Sequence, residues 1–287
     1  MKLKPWLLFA IITTVFWGVW GAFIEIPEKN GFPATLGYVV WSLTMIIPAA
    51  IALQRVHWKL ETTTKAILHG LLIGVSGAAG QVVLFQALRT GPAYLVFPIV
   101  SLSPLITILL SILILKEKAS TKSWTGITVA LLAIPLLSYQ PRASSQQFGY
   151  AWLALALAVF LSWGLQAYFI KVANLHMKAE SIFFYMMICG LALIPAALLM
   201  TDFTKPINWG FKGPYLAAAI QVLNSIGALF LVYAFRHGRA IIVSPLTNAG
   251  APVITIILSL IIYGIFPHTI IIVGMCLAVV AIFLLAD

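Results

Sequence analysis

The chain has 287 residues, of which 62% are hydrophobic and 8% charged, a balance that excludes an ordinary soluble domain. A formal charge of +10 would suggest a nucleic-acid partner in a soluble protein. Here the basic residues lie between long apolar runs, so they read as determinants of membrane orientation and no nucleic acid is expected.

At roughly 20 residues per crossing plus short connections, this length allows about ten membrane helices. The predicted spans are 5–25, 34–53, 66–88, 93–115, 124–139, 149–170, 180–200, 213–235, 240–263 and 268–286. The fifth is the shortest and has room to begin near Ser120. Span 1 follows Lys2 and Lys4 as a signal peptide would. Its apolar run is too long and no small-x-small cleavage site precedes Glu25, so it reads as a retained helix. Runs such as LSPLITILLSILIL lack the dyad alternation of a membrane barrel, whereas helices satisfy their own backbone bonds within each span. The predicted class is therefore all-α integral membrane. No loop is long enough for a nucleotide-binding domain and no GxxxxGK[ST] string occurs, which argues against ATP as a direct energy source.

Two stretches repeat each other about 147 positions apart. Phe85–Ser111 reads FQALRTGPAYLVFPIVSLSPLITILLS, and Tyr233–Ser259 reads YAFRHGRAIIVSPLTNAGAPVITIILS. Arg89 matches Arg236, Gly91 matches Gly238, Ala93 matches Ala240 and Pro98 matches Pro245. After a one-residue insertion, Pro104 matches Pro252, Thr107 matches Thr255 and Ser111 matches Ser259. A duplicated membrane unit is the usual build of a secondary transporter, with the substrate held where the halves meet. The predicted organisation is a five-helix repeat over 1–140, a linker loop over 141–148 and a second five-helix repeat over 149–287.

Charge sets the orientation. Lys2, Lys4, Arg55, Lys59, Lys65, Lys116, Lys118, Lys122, Lys171, Lys178, Arg236 and Arg239 flank one side, and Lys29, Arg89, Arg142, Lys205 and Lys212 the other. The excess places both termini in the cytoplasm, in a cytoplasmic (inner) membrane. Five spans per half is an odd number, so the second half enters upside down and the repeats are inverted. Arg89 then faces outward and Arg236 inward.

The repeat and its flanks resemble the drug/metabolite transporter superfamily, specifically its EamA-type ten-helix branch. The residues that carry the likeness are A-L-R-x-G-P-A at Ala87–Ala93, Ser103-Pro104, and Glu117 with Trp124 and Gly126. In the second half they are Ala234, Arg236, Gly238, Ala240, Ser244-Pro245 and Ala251-Pro252. Trp17-Gly18 and Trp163-Gly164 open the two halves. Glu117 has no counterpart, since Gly264-Ile265-Phe266 stands in its place. The resemblance implies a basket-like bundle whose cavity is lined chiefly by helices 1, 3, 4, 6, 8 and 9, braced by 5 and 10. It also implies carriage of a small metabolite, with amino acids, sugars and nucleobases all open.

Polar groups inside a span are costly without partners, so they are the best local guide to a site. Gln81, Gln166, Gln221, Asn224 and Asn248 fall within spans, and Ser244 shares a helix face with Asn248. These amides either bond between helices or line a cavity for hydroxyl, amide or zwitterionic ligands. Trp17 and Trp163 are deep enough to wall such a cavity, while Trp6, Trp58, Trp124 and Trp209 read as interface anchors. Trp41 fits either group. Glu25, the one acid near a span end in an apolar context, reads first as a solvated helix end and second as a site for a cation or proton. Arg89 and Arg236 either anchor loop ends or cap two gates. Pro98, Pro104, Pro245 and Pro252 are expected to interrupt helices 4 and 9, and broken helices frame transporter sites. Gly70, Gly74 and Gly77, and Gly274, Ala278 and Ala281, mark close helix packing.

An enzyme would need a nucleophile–base pair or metal ligands in the bilayer. His57, His69, His176, His237 and His268 lie in or near loops, with no HExxH spacing. Cys189 and Cys276 read as packing or lipid-facing thiols. No metal or other cofactor is expected. The expected activity is alternating-access transport of a small organic metabolite, as an exporter or facilitator, with membrane lipid as the other partner. A non-transporting receptor or scaffold is the main alternative.

Overall fold

The computed structural model describes residues 4–91, 93–139, 150–264 and 266–286. The expected linker 141–148, with Arg142, and Lys2 lie outside the described residues. The helices are α1 Pro5–Phe23, α2 Glu25–Lys29, α3 Ala34–Thr44, α4 Ile46–Arg55, α5 Thr64–Thr90, α6 Ala93–Ser101 and α7 Pro104–Leu113. They continue with α8 Thr121–Leu137, α9 Ala151–Ala173, α10 Ala179–Ala192, α11 Ile194–Leu199, α12 Leu216–His237, α13 Ala240–Tyr263 and α14 Thr269–Leu285. No strand occurs among the described residues. Eight helical stretches are long and apolar enough to cross a bilayer, several of them built from two collinear helices. Two further apolar helices, α8 and α14, have 17 residues each.

Local chemistry sets the boundaries. Pro5 and Pro104 occupy first turns, where no N–H partner is needed. The hydroxyls of Thr63 and Ser120 accept from the backbone N–H groups of Ala66 and Ser123 at 3.2 and 3.1 Å, starting α5 and α8. Gly264, at φ 64°, closes α13 in the left-handed region that glycine alone adopts freely.

Breaks fall in several of the long spans, among them Ile24 between α1 and α2, a π-helical turn at Phe211–Tyr215 before α12, and the three that follow. The α3/α4 break lies just before Pro48 and the α10/α11 break just before Pro195. These prolines stand at the same spacing as the sequence repeat. The third break, between α6 and α7, lies at Ser103-Pro104 as expected for span 4, whereas Pro98, also expected to interrupt that span, sits within the unbroken α6. Span 9 departs from expectation, because α13 runs unbroken through Pro245 and Pro252. Neighbouring side chains bond back to the backbone there. The Thr247 hydroxyl donates to the carbonyls of Val243 and Ser244, and Asn248 Nδ2 donates to Ser244 O at 2.9 Å. These bonds do not replace the ones the prolines remove, which would run to the carbonyls of Ile241 and Asn248 four residues earlier.

Packing repeats as the sequence does. Helix α12 packs along α1, and α5 packs along α9. Gly227 admits the Trp17 ring so closely that a Cβ would lie 2.5 Å from its Cδ1; at Gly80 a Cβ would lie 2.6 Å from Trp163 Nε1. The Trp17 indole donates to Asn224 O and the Trp163 indole to Gly77 O, both at 3.3 Å. Thr255 donates to Gly18 O at 2.9 Å and Thr107 to Gly164 O at 3.0 Å. Helices α8 and α14 pair with one another outside this group, Gly126 against Leu284 and Gly274 against Leu136. Small residues at such crossings let backbones approach where lipid supplies no hydrophobic drive.

Candidate functional site

The helices enclose two joined chambers. The outer one, about 810 Å³, opens between the exposed residues Glu25, Glu28 and Arg89. The inner one, about 300 Å³, lies deeper. Trp20, Trp41, Gln81, Ser103, Trp163, Asn224 and Asn248 border both.

Close packing forms the site. Trp17 and Trp163 are pressed inward by the glycine contacts above, and each indole N–H is taken by a carbonyl of the opposing helix. Trp20 Nε1 donates to Gln221 Oε1 at 3.0 Å, and Gln221 Nε2 donates to Gly37 O at 3.3 Å. This chain of bonds ties α1, α12 and α3 into one wall.

All eight residues picked from sequence as ligand contacts border these chambers. Trp17, Gln166 and Ser244 border the inner chamber, Gln221 the outer, and Gln81, Trp163, Asn224 and Asn248 both. The expected gating residues are less concentrated. Glu25 and Arg89 stand at the mouth, and Pro252 borders the outer chamber. Glu25 is held by Lys29 at 2.6 Å, and Arg89 donates to Met200 O. Arg236 borders neither chamber among the described residues and donates to Met177 O at 3.1 Å, as a loop anchor would. Pro98, Pro104 and Pro245 lie behind the described lining.

Two lining residues, Thr35 and Tyr38, went unremarked in the sequence, and Trp41 was left between the cavity and the interface. Helix α3 supplies Thr35, Tyr38 and Trp41, beyond the six helices that the resemblance implies. Tyr38 donates to Gly190 O at 3.1 Å, while the buried Trp41 Nε1 has no partner. The signal available was the 38, 41 spacing, one helical turn of two aromatics with polar edges.

Opposite the mouth, the inner chamber has a floor of Phe235, Ser244 and Thr247, all buried. Beneath it, Lys171 Nζ donates to Phe235 O at 3.1 Å and to Gly238 O, and lies 3.8 Å from Glu117 Oε1. Glu117 Oε2 accepts from Ile241 N at 3.1 Å, where a carboxylate meets the positive end of α13. Arg239 adds a bond to Lys118 O. The unrepeated acid of the sequence therefore serves as a fastening, joining the α7–α8 connection to α9 and the α12–α13 turn. Sequence reading counted Lys171 only as an orientation charge.

No group of His, Cys, Asp and Glu side chains with metal-binding geometry occurs among the described residues. Cys189 is buried against Gly74, and Cys276 is exposed.

Apolar helices of spanning length around a cavity with amide and indole groups in its wall are the build of an integral, multi-pass membrane transporter. The chain belongs to the EamA-like transporter family, which matches residues 4–139 and again residues 150–286. Among curated relatives, Pseudopaline exporter CntI of Pseudomonas aeruginosa is 28% identical over 252 residues, covering 84% of this chain and 82% of that one. An uncharacterized protein of Methanocaldococcus jannaschii is 32% identical over 133 residues, covering 46% of this chain and 95% of its own. A solved crystal structure superposes with a TM-score of 0.79 at 16% identity, over 99% of this chain and 96% of that one, a likeness of fold.

Proposed function

We propose that the chain is a secondary carrier that exports or equilibrates a small organic metabolite by alternating access. On this reading ten spans form two inverted five-helix repeats, 1–140 and 149–287, joined by the linker 141–148. Helices α8 and α14 at about 25 Å each then cross with help from their flanking residues. Matched contacts at residues about 147 positions apart support the duplication, and five spans per unit require the opposed insertion. The excess of basic residues beside the N-terminal ends of spans 1 and 3 supports cytoplasmic termini in an inner membrane.

The observation that carries the proposal is the two-chamber cavity, open at Glu25 and Arg89 and fastened beneath Phe235. A cavity reached from one side and sealed on the other is what one half-cycle of alternating access requires. The exporter relative supports an outward-moving metabolite as cargo. In this reading Trp17, Gln81, Trp163, Gln166, Gln221, Asn224, Ser244 and Asn248 contact the cargo. Glu25 and Arg89 attend the mouth, and the proline-bearing α6, α7 and α13 move.

Substrate flux into sealed proteoliposomes tests transport against a receptor or scaffold. Saturable flux that disappears when Gln166 and Asn224 are both replaced by Leu is the expected result. Flux that survives the double replacement refutes the site, and impermeant labelling of Arg89→Cys and Arg236→Cys from the same side refutes the inverted repeat.

A further inference from the structure

The inner chamber is mainly apolar with amides and hydroxyls set into its wall, and none of its described lining residues is charged. Glu25, Glu28 and Arg89 border the outer chamber, and beside the floor residue Phe235 the Lys171–Glu117 pair is bonded to itself and to nearby backbone groups. Four indoles face the chamber, from Trp17, Trp20, Trp41 and Trp163. Three have their N–H engaged within the protein, and that of Trp41 is unpartnered. The side-chain amides of Gln81 and Gln166 border the chamber with no protein hydrogen-bond partner among the described residues.

We propose that the inner chamber takes a planar ring compound without net charge that carries an amide-like edge, such as a nucleobase or a ring carboxamide, and that it rejects the ionised analogues. This rests on the cavity being the cargo site. A charge brought into a lipid-surrounded chamber with no counter-charge loses its hydration and gains nothing equivalent, a cost of several kcal/mol. Indole faces supply flat apolar surface for a ring to stack on. A primary amide sets a donor beside an acceptor, the pairing that lets glutamine grip a base edge with two bonds. Gln81 and Gln166 offer that pairing unsatisfied. A sugar can also lay its C–H face on an indole, so a non-planar probe is needed to separate it from a planar ring, and a free amino acid would need two opposite charges that the lining lacks. A volume of about 300 Å³ holds one or two fused rings.

Four probes of nearly one size separate the terms: nicotinamide, its carboxylate analogue nicotinate, the cation 1-methylnicotinamide and the non-planar cyclohexanecarboxamide. Binding to the purified full chain in nanodiscs is followed by calorimetry and by quenching of indole fluorescence. Nicotinamide is expected to bind at least about tenfold more tightly than each of the others. A charged or non-planar probe binding as tightly overturns the proposal, as does the absence of saturable binding by any probe. Gln166→Glu supplies a second readout: it should weaken nicotinamide and gain affinity for 1-methylnicotinamide, and a misfolded protein cannot make that gain. No gain overturns the proposal. The two levels fail differently. Tight nicotinate binding lost in Gln81→Leu/Gln166→Leu refutes the ligand class and leaves the site intact, whereas nicotinamide binding indifferent to that double change refutes the site itself.

Discussion

Replacing Glu117 by Gln removes one charge from under the chamber floor while leaving an oxygen to accept from the Ile241 N–H. At 3.8 Å and an effective dielectric near 20, the attraction between Lys171 and Glu117 is about 4 kcal/mol. The two side chains keep 14% and 9% of their accessible surface, so lost hydration offsets part of that attraction. Breaking a fully buried pair costs about 3–5 kcal/mol, largely through the charge left alone. Lys171 retains the carbonyls of Phe235 and Gly238 after the change, which lowers the expected loss to about 2 kcal/mol. If the pair must part for the floor to open, the open fraction rises about thirtyfold. Access is read by an impermeant maleimide at Ser244→Cys, with Cys189 and Cys276 replaced by Ala, applied from the side of the N-terminus. Labelling should quicken about thirtyfold in Glu117→Gln. It should quicken further in Glu117→Ala, which also strips the cap from α13, worth about 1 kcal/mol. An unchanged rate in both variants would show that the pair does not hold the floor shut.

Gly80→Ala and Gly227→Ala should each lower thermal stability by about 1–3 kcal/mol, because the new methyl collides with Trp163 or Trp17; equal melting temperatures in detergent would contradict the packing. Thr107→Val and Thr255→Val should cost about 1 kcal/mol or less each, and by similar amounts, since each deletes one hydroxyl bond to the corresponding glycine carbonyl. Chemical denaturation of the two variants side by side checks that equality. His176, outside the spans, is held below its ordinary pKa of 6.5 by burial, reinforced by Lys65 and His69. The unfolded chain therefore takes up that proton more readily than the native one. His176's contribution is full above pH 6.5 and lost as pH falls through the native pKa below it. A melting profile from about pH 8 down to about pH 5 should fall less in His176→Gln than in the parent.

Helix positions were legible because lipid forces long apolar runs, and runs of that kind announce themselves. Residues 240–263 were placed to the residue, and room for span 5 to begin near Ser120 was seen, though not the hydroxyl cap that starts α8 there. The breaks at Met45 and Leu193 were not read, although Pro48 and Pro195 stand at the repeat spacing. The interruption expected in span 9 did not occur: α13 carries both prolines in its interior, an outcome that proline positions alone do not reveal. Within the cavity the buried amides stood out, since polar groups in apolar runs are few. Tyr38 and Trp41 did not, because aromatics are equally at home at the lipid interface. The role of Lys171 was hidden by its position near a span end, where a basic residue normally marks the cytoplasmic surface. Only the fold brings Glu117 within reach of it.

The repeat preserves packing and leaves the chemistry unrepeated. Trp17 on Gly227 has its copy in Trp163 on Gly80, and Thr255 on Gly18 has its copy in Thr107 on Gly164. These pairs fix how the helices cross, and both halves need the same crossing. The amides follow another rule: Gln166 stands at the position equivalent to Trp20, Asn224 to Gly77 and Gln221 to Gly74. A ligand at the junction of two related halves is not itself two-fold symmetric, so each half must show it a different surface. The single Glu117 extends the same logic to the floor. A fastening repeated at the mouth would hold both ends shut, and a carrier shut at both ends cannot exchange its cargo. Adding an acid at the equivalent sequence position by Ile265→Glu should therefore lower flux, and a rise in flux would count against a floor held by charge.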